Sequence, residues 1–189
     1  MPIGYEQQLQ KFWKDENLDG IEAVLAALEA NQMTLGLLLR LSPEGLAEKF
    51  PIFHQQLQLF IIKQLPVDEQ LLEHIHMDLP KLLSFSCEGL AEEFPIFHQQ
   101  LQRFIRQLPV DEQFLKAIGV TSVWKANFTS ANYLRVGDLL TAFDNKEQIK
   151  KDLKLDEPVL SNAWAFIRRS KEDPVPVSQH APSCKFRKS

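Results

Sequence analysis

The chain has 189 residues, 44% of them hydrophobic and 24% charged, with seven glycines and a formal net charge of −4. That length supports one good core or two to three small ones, and the composition is that of an ordinary globular protein rather than a collagenous or disulfide-rich one. No apolar run approaches the roughly 18 residues that span a bilayer, and MPIGYEQQLQKFW has no basic region leading into an apolar stretch, so neither a membrane span nor a secretory signal is expected.

Period-2 alternation and tight hairpin turns are nearly absent, while helical spacing runs throughout, which predicts an all-α fold. Tyr5, Leu9, Phe12 and Trp13 mark a leading helix. Ile21, Val24, Leu25 and Leu28 mark a second, with Asp19 as the expected N-cap and Asn31 as the stop. Ser42 and Pro43 then open a short helix as N-cap and N1, with Glu44 in its first turn. Pro51 disfavours helical geometry at Phe50 and starts a longer helix, with Phe53, Leu57, Ile61 and Leu65 on one face, ending before Pro66. PVDEQ opens the next helix, with Asp68 and Glu69 at its positive end.

The stretch EGLAEKFPIFHQQLQLFIIKQLPVDEQ, from residue 44, recurs as EGLAEEFPIFHQQLQRFIRQLPVDEQ from residue 88, one residue shorter. Losing one residue rotates the downstream part of a helix by about 100°. Leu65 is four residues after Ile61 and Leu108 three after Ile105, and both spacings return to the same face, so the stripe Phe97, Leu101, Phe104/Ile105, Leu108 survives. MDLPKLLSFS (77–86) repeats the lead-in MTLGLLLRLS. A diverged third copy starts at LRVGDLLTAFDNKEQIKKDL (134–153) and closes with DEPVLSNAWAFIRRS, where Val159, Ala163, Phe166 and Ile167 form the stripe. The recurrent unit is an apolar helix end, a capped turn, a short helix, a proline and a long helix.

The stretch FLKAIGVTSVWKANFTSANYLRVGDLLTAFDNKEQIKKDLKLDEPVLSNAWAFIRR (114–169) resembles a sterile alpha motif (SAM) domain, a bundle of four shorter helices and a long last one. Residues 5–65 resemble a second such unit more loosely. The resemblance implies tandem SAM-like bundles at 1–65 and 109–170, with a partial repeat of the bundle's back half at 66–108; the proline content and missing apolar periodicity after the second bundle predict a disordered basic tail at 171–189. The resemblance also implies a protein–protein interaction or scaffold role, with other SAM-like domains or a second copy of the chain as partners. Members commonly associate head to tail, an acidic mid-loop surface meeting the start of the last helix. Carried over, the acidic face is Asp138, Asp144 and Glu147, and the other face is Val159, Asn162 and Arg168. In the N-terminal unit the acidic segment is Glu44 and Glu48. Glu157 stands where many members have a Gly-His or Gly-Pro pair.

Residues 1–70 carry five Lys/Arg against ten Asp/Glu, and residues 109–189 carry thirteen against ten, a split that suits attraction between unlike ends of neighbours. No catalytic residue, cofactor site or metal site is expected. His74 and His76 form an H-x-H without further converging ligands, and His54 and His98 are one repeated position. The acidic residues fall at helix starts, and no phosphate-cradling glycine loop is present. Cys87 and Cys184 are too few for a disulfide framework and are expected as thiols in a reducing, cytoplasmic setting. The alternative functional reading is an RNA-binding adaptor using the basic face of the C-terminal bundle: Lys146, Lys150, Lys151, Lys154, Arg168, Arg169 and Lys171, diluted by interleaved carboxylates. An alternative architecture stacks the three repeats as a solenoid.

Overall fold

The computed structural model describes residues 4–171; of the tail expected at 171–189, Lys171 ends the last helix and the rest, with Cys184, lies outside the described residues. The chain is all-α. In order the helices are α1 (Glu6–Asp15), α2 (Ile21–Ala30), α3 (Leu35–Leu39), α4 (Pro43–Lys49), α5 (His54–Lys63), α6 (Glu69–His74) and α7 (Leu79–Leu83). They continue as α8 (Cys87–Glu93), α9 (His98–Gln107), α10 (Glu112–Ala117), α11 (Lys125–Ser130), α12 (Val136–Ala142), α13 (Lys146–Leu153) and α14 (Glu157–Lys171). Among the described residues the extended pairing amounts to one bridge, Pro109 with Arg135. No helix there is long and apolar enough to cross a membrane.

Packing divides the chain into two units. The first runs up to Met77 and takes in Ala91–Gln100, and the second comprises Asp78–Leu90 and the chain from Leu101 onward.

The same local chemistry recurs at the helix ends. Ser42 and Ser86 each accept an amide hydrogen bond at 3.0 Å, from Gly45 and Gly89. Asp68 and Asp111, the aspartates of the two PVDEQ segments, accept from Leu71 and Phe114, both at 2.9 Å. Six helices stop on a residue of positive φ, α13 at Lys154 and five others at Asn17, Gln32, His76, Gly119 and Asn132, and these five share one pattern. Beyond each, the next amide reaches back five residues, as Met33 does to the Leu28 carbonyl and Met77 to that of Leu72. These are Schellman endings, which satisfy carbonyls that a helix terminus leaves open.

Two helix starts differ from expectation. α2 is entered through Gly20, at φ +84, and not through Asp19. Asp19 is drawn elsewhere: its carbonyl accepts the Trp13 indole N–H at 2.9 Å. α5 begins at His54 and not near Pro51, because Pro51–Phe53 form a turn. In that turn the amides of Phe53 and His54 both bond to the Phe50 carbonyl, at 3.2 and 2.9 Å.

In the first unit, Tyr5, Leu9, Phe12 and Trp13 are all buried. Phe60 of α5 meets Phe12 edge-on at 5.7 Å and stacks on Tyr5 at 6.3 Å. The Tyr5 hydroxyl donates to the Met33 carbonyl at 2.8 Å, and burial pushes its phenol well above the ordinary range, so it stays a donor. Arg40 ties several segments of this unit together. It donates to the carbonyls of Gly36 and Ile75, pairs with Glu93 at 2.8 Å and lies 4.9 Å over the Phe94 ring. In the second unit Phe114 meets Phe166 edge-on at 5.2 Å, and Ala163, Phe166 and Ile167 are buried as the stripe requires. Val159 is half-buried.

The two near-identical copies do not bury the same residues. Leu57, Phe60 and Ile61 are buried in the first, with Phe53 half-buried. In the second, Phe97, Leu101 and Ile105 are buried, while Phe104 and Leu108 are half-buried. Phe60→Ala is therefore expected to cost about 3–5 kcal/mol, the range for truncating a core aromatic, and the matching Phe104→Ala clearly less. Chemical denaturation of both variants checks this; equal losses would contradict the assignment of burial.

Candidate interaction site

In the second unit the residues of the expected acidic face are set by two capped helix starts. Asp138 sits in the first turn of α12, and its carboxylate accepts the Arg135 amide at 3.0 Å. Asn145 caps α13 in a reciprocal box with Gln148, holding the turn from Phe143 to Asn145 between the two helices. Asp138, Asp144 and Glu147 are all exposed, and Asp144 and Glu147 flank that cap. Asp144 is not a lone charge. It pairs with Lys171 at 2.8 Å, whose ammonium also donates to the Phe143 carbonyl at 2.6 Å.

The expected partner face, at α14, is less uniform. Arg168 is exposed on the last turns, Val159 is half-buried, and Asn162 is exposed but committed within the fold. The Asn162 amide donates to the Gly119 carbonyl at 2.9 Å, joining the end of α10 to α14. At the start of α14, Glu157 pairs with Lys146 of α13 at 2.8 Å. The hydrogen bond and charge of Lys146 hold the Glu157 carboxyl below the usual range. Lys146 also donates to the Ser161 hydroxyl at 3.1 Å. The start of α14 thus carries a bridged carboxylate beside α13, and its end carries the Asp144–Lys171 pair.

The basic positions divide in the same way. Lys146, Arg169 and Lys171 have partners inside the unit. Arg169 donates to the Leu83 carbonyl at 2.7 and 3.2 Å and lies 5.8 Å over the Phe166 ring. Lys150, Lys151, Lys154 and Arg168 are exposed. Cys87 of α8 is buried, its thiol 3.0 Å from the Ser170 carbonyl as a donor.

In the first unit Glu44 and Glu48 are exposed one turn apart on α4, with exposed Lys49 after them. Sequence patterning did not single out the Arg40 node. Its signal was the difference between copies, since Ser84 occupies the matching place in the second. Nor did it foresee the shallow groove beside that node, lined by Thr34, Leu37, Arg40, Glu73, His74 and His76. His74 there is turned to its own helix, with Nδ1 2.7 Å from the Gln70 carbonyl. Among the described residues no three His, Cys, Asp or Glu side chains come together in a way that could hold a metal ion.

No family model matches the chain, and no curated protein or solved structure matches it either.

Gly119 combines φ +85 with a tight contact, because a β-carbon there would stand 2.9 Å from the Asn162 amide nitrogen. Gly119→Ala is expected to cost about 1–2 kcal/mol from backbone strain alone, lowering the melting temperature by several degrees. Asn162→Ala, which removes the obstructing amide, should restore part of that loss in the double variant. Additive losses in a thermal-melt cycle would contradict the contact.

Proposed function

We propose that the chain is a non-enzymatic protein–protein interaction module built from SAM-like bundles, one that self-associates head to tail. The observation that carries this reading is the run α10 to α14, four shorter helices and a 15-residue last one in the order the resemblance implies. Exposed carboxylates at Asp138, Asp144 and Glu147 surround its third and fourth helices. The acidic turn between α12 and α13 of one copy meets the α14 face of the next, where Val159 supplies apolar contact and Arg168 a cation. Glu44 and Glu48 form the corresponding acidic surface of the N-terminal bundle. Contacts of this kind steer encounter and fix orientation more than they add affinity, so the complex is strengthened at low salt. A reducing cytoplasmic setting belongs to the same proposal, and it suits the buried Cys87 thiol donating to a backbone carbonyl.

An RNA adaptor is the weaker reading because Lys146, Arg169 and Lys171 spend their donors inside the fold. A phosphate backbone would have to compete with those partners or rely on Lys150, Lys151, Lys154 and Arg168.

Sedimentation of the full chain at rising concentration and low salt is expected to show a growing average mass that falls back as salt is added. Asp144→Asn with Glu147→Gln should weaken the association by roughly tenfold, equivalent to about 1.4 kcal/mol. A chain that stays monomeric at low salt would sink the head-to-tail reading. A salt-sensitive shift of stem-loop RNA, without self-association, would favour the adaptor instead.

A further inference from the structure

The two long-helix copies differ most on the face that solvent sees. Counted from the helix starts, Ile52, Gln55, Leu59 and Ile62 of the first copy correspond to Ile96, Gln99, Arg103 and Arg106 of the second. Within α5, Gln55, Leu59 and Ile62 keep the 4 and 3 spacing of one helix face, and Ile52 lies in the turn just before it. In the second copy this seam of four positions needs no cover. Ile96 is 8% exposed, and Arg103 and Arg106 stand in solvent. In the first copy Ile52 is 79%, Leu59 43% and Ile62 44% exposed, with Gln55 exposed between them. Two helices otherwise nearly identical thus carry apolar residues on one open seam and arginines on the other.

The polar neighbour of the seam separates the copies in the same way. Gln100, one turn after Ile96, donates from Nε2 to the Ile62 carbonyl at 2.7 Å, so the opening turn of α9 is seated on the end of α5. Gln56, its counterpart one turn after Ile52, has a buried Oε1 without a partner among the described residues.

We infer that the α5 seam is an interaction surface for a second copy of this chain, α5 packing against α5 across a two-fold axis. A two-fold contact sets a face against itself, so any net charge on it would repel. This face satisfies that condition. Its four seam positions are uncharged, and Lys63 at its edge is paired with Glu16 at 3.7 Å. Ile52 and Ile62 lie at opposite ends of the seam and Leu59 near its middle, a distribution that can meet its own copy. A seam on a 10-residue helix is about 15 Å long, well short of what a standard interface of about 1,600 Å² requires. The dimer is accordingly weak and populated at high protein concentration. It uses a surface separate from the acidic and α14 faces above, and it is apolar, so salt does not dissolve it.

The test is sedimentation of the full chain to about 1 mM, in low salt and in about 1 M salt, where the screening length falls to about 3 Å. The variants are Leu59→Arg with Ile62→Arg, and separately Asp144→Asn with Glu147→Gln. The arginine pair is what α9 already carries in exposed positions, so this variant keeps its fold, as circular dichroism would verify. In high salt, wild type and the Asp144/Glu147 variant are expected to reach a dimer at the top of the range. The Leu59/Ile62 variant is expected to stay monomeric there, its dissociation constant raised at least tenfold. A wild type monomeric throughout in high salt would overturn the inference. So would a Leu59/Ile62 variant that associates like wild type. Association confined to low salt and lost only with Asp144 and Glu147 would leave the head-to-tail reading standing and remove this one.

Discussion

The shortness of its helices is the constraint on which the rest of this protein depends. Among the described residues, thirteen of the fourteen α-helices have ten residues or fewer, and α14 has fifteen. Isolated helices below about 12 to 15 residues are marginal in water, because nucleation fixes several dihedrals for one hydrogen bond. These segments must therefore be held from outside, by caps at their ends and by burial of one face. The caps are written into the chain as Ser42, Asp68, Asp78, Ser86, Asp111 and Asn145, each accepting an amide from the first turn. The burial is supplied by stripes such as Tyr5–Phe12–Phe60 in the first unit and Phe114–Phe166 in the second.

Because packing decides so much, one sequence can hold two roles. PIFHQQLQ occurs twice without a change. At 95–102 its isoleucine is covered and its second glutamine donates to the end of α5; at 51–58 the isoleucine is open. The substitutions that separate the copies track this difference. Arginine stands at the exposed positions 103 and 106, and leucine and isoleucine stand at the matching 59 and 62, which are exposed as well. The duplication supplied a helix, and the surroundings determined which face it shows to water.

Much of the fold was legible. Helical spacing located nearly every element, Ser42 before Pro43 marked the cap of α4, and Pro51 and Pro66 bracketed the region of α5. What escaped was set by contacts between segments far apart in sequence. Asp19 has the side chain of an N-cap, yet the Trp13 indole takes its carbonyl and Gly20 makes the turn. Arg40 reads as one more surface cation until Ile75, Glu93 and Phe94 come up against it. The candidate site was legible only as a set of exposed residue types. That Asn162 is spent on Gly119, and that Asp144 is paired with Lys171, depends on how α14 lies along its bundle, which spacing alone does not encode.

The central claim is that α5 and α9, alike in sequence, differ because one presents an interaction surface and the other does not. Amide hydrogen exchange of the full chain, compared between dilute and concentrated solution, measures this helix by helix. The account predicts that amides of α5 gain protection as concentration rises while those of α9 stay unchanged, in high salt as well as low. Equal changes in the two helices, or none in α5, would contradict it.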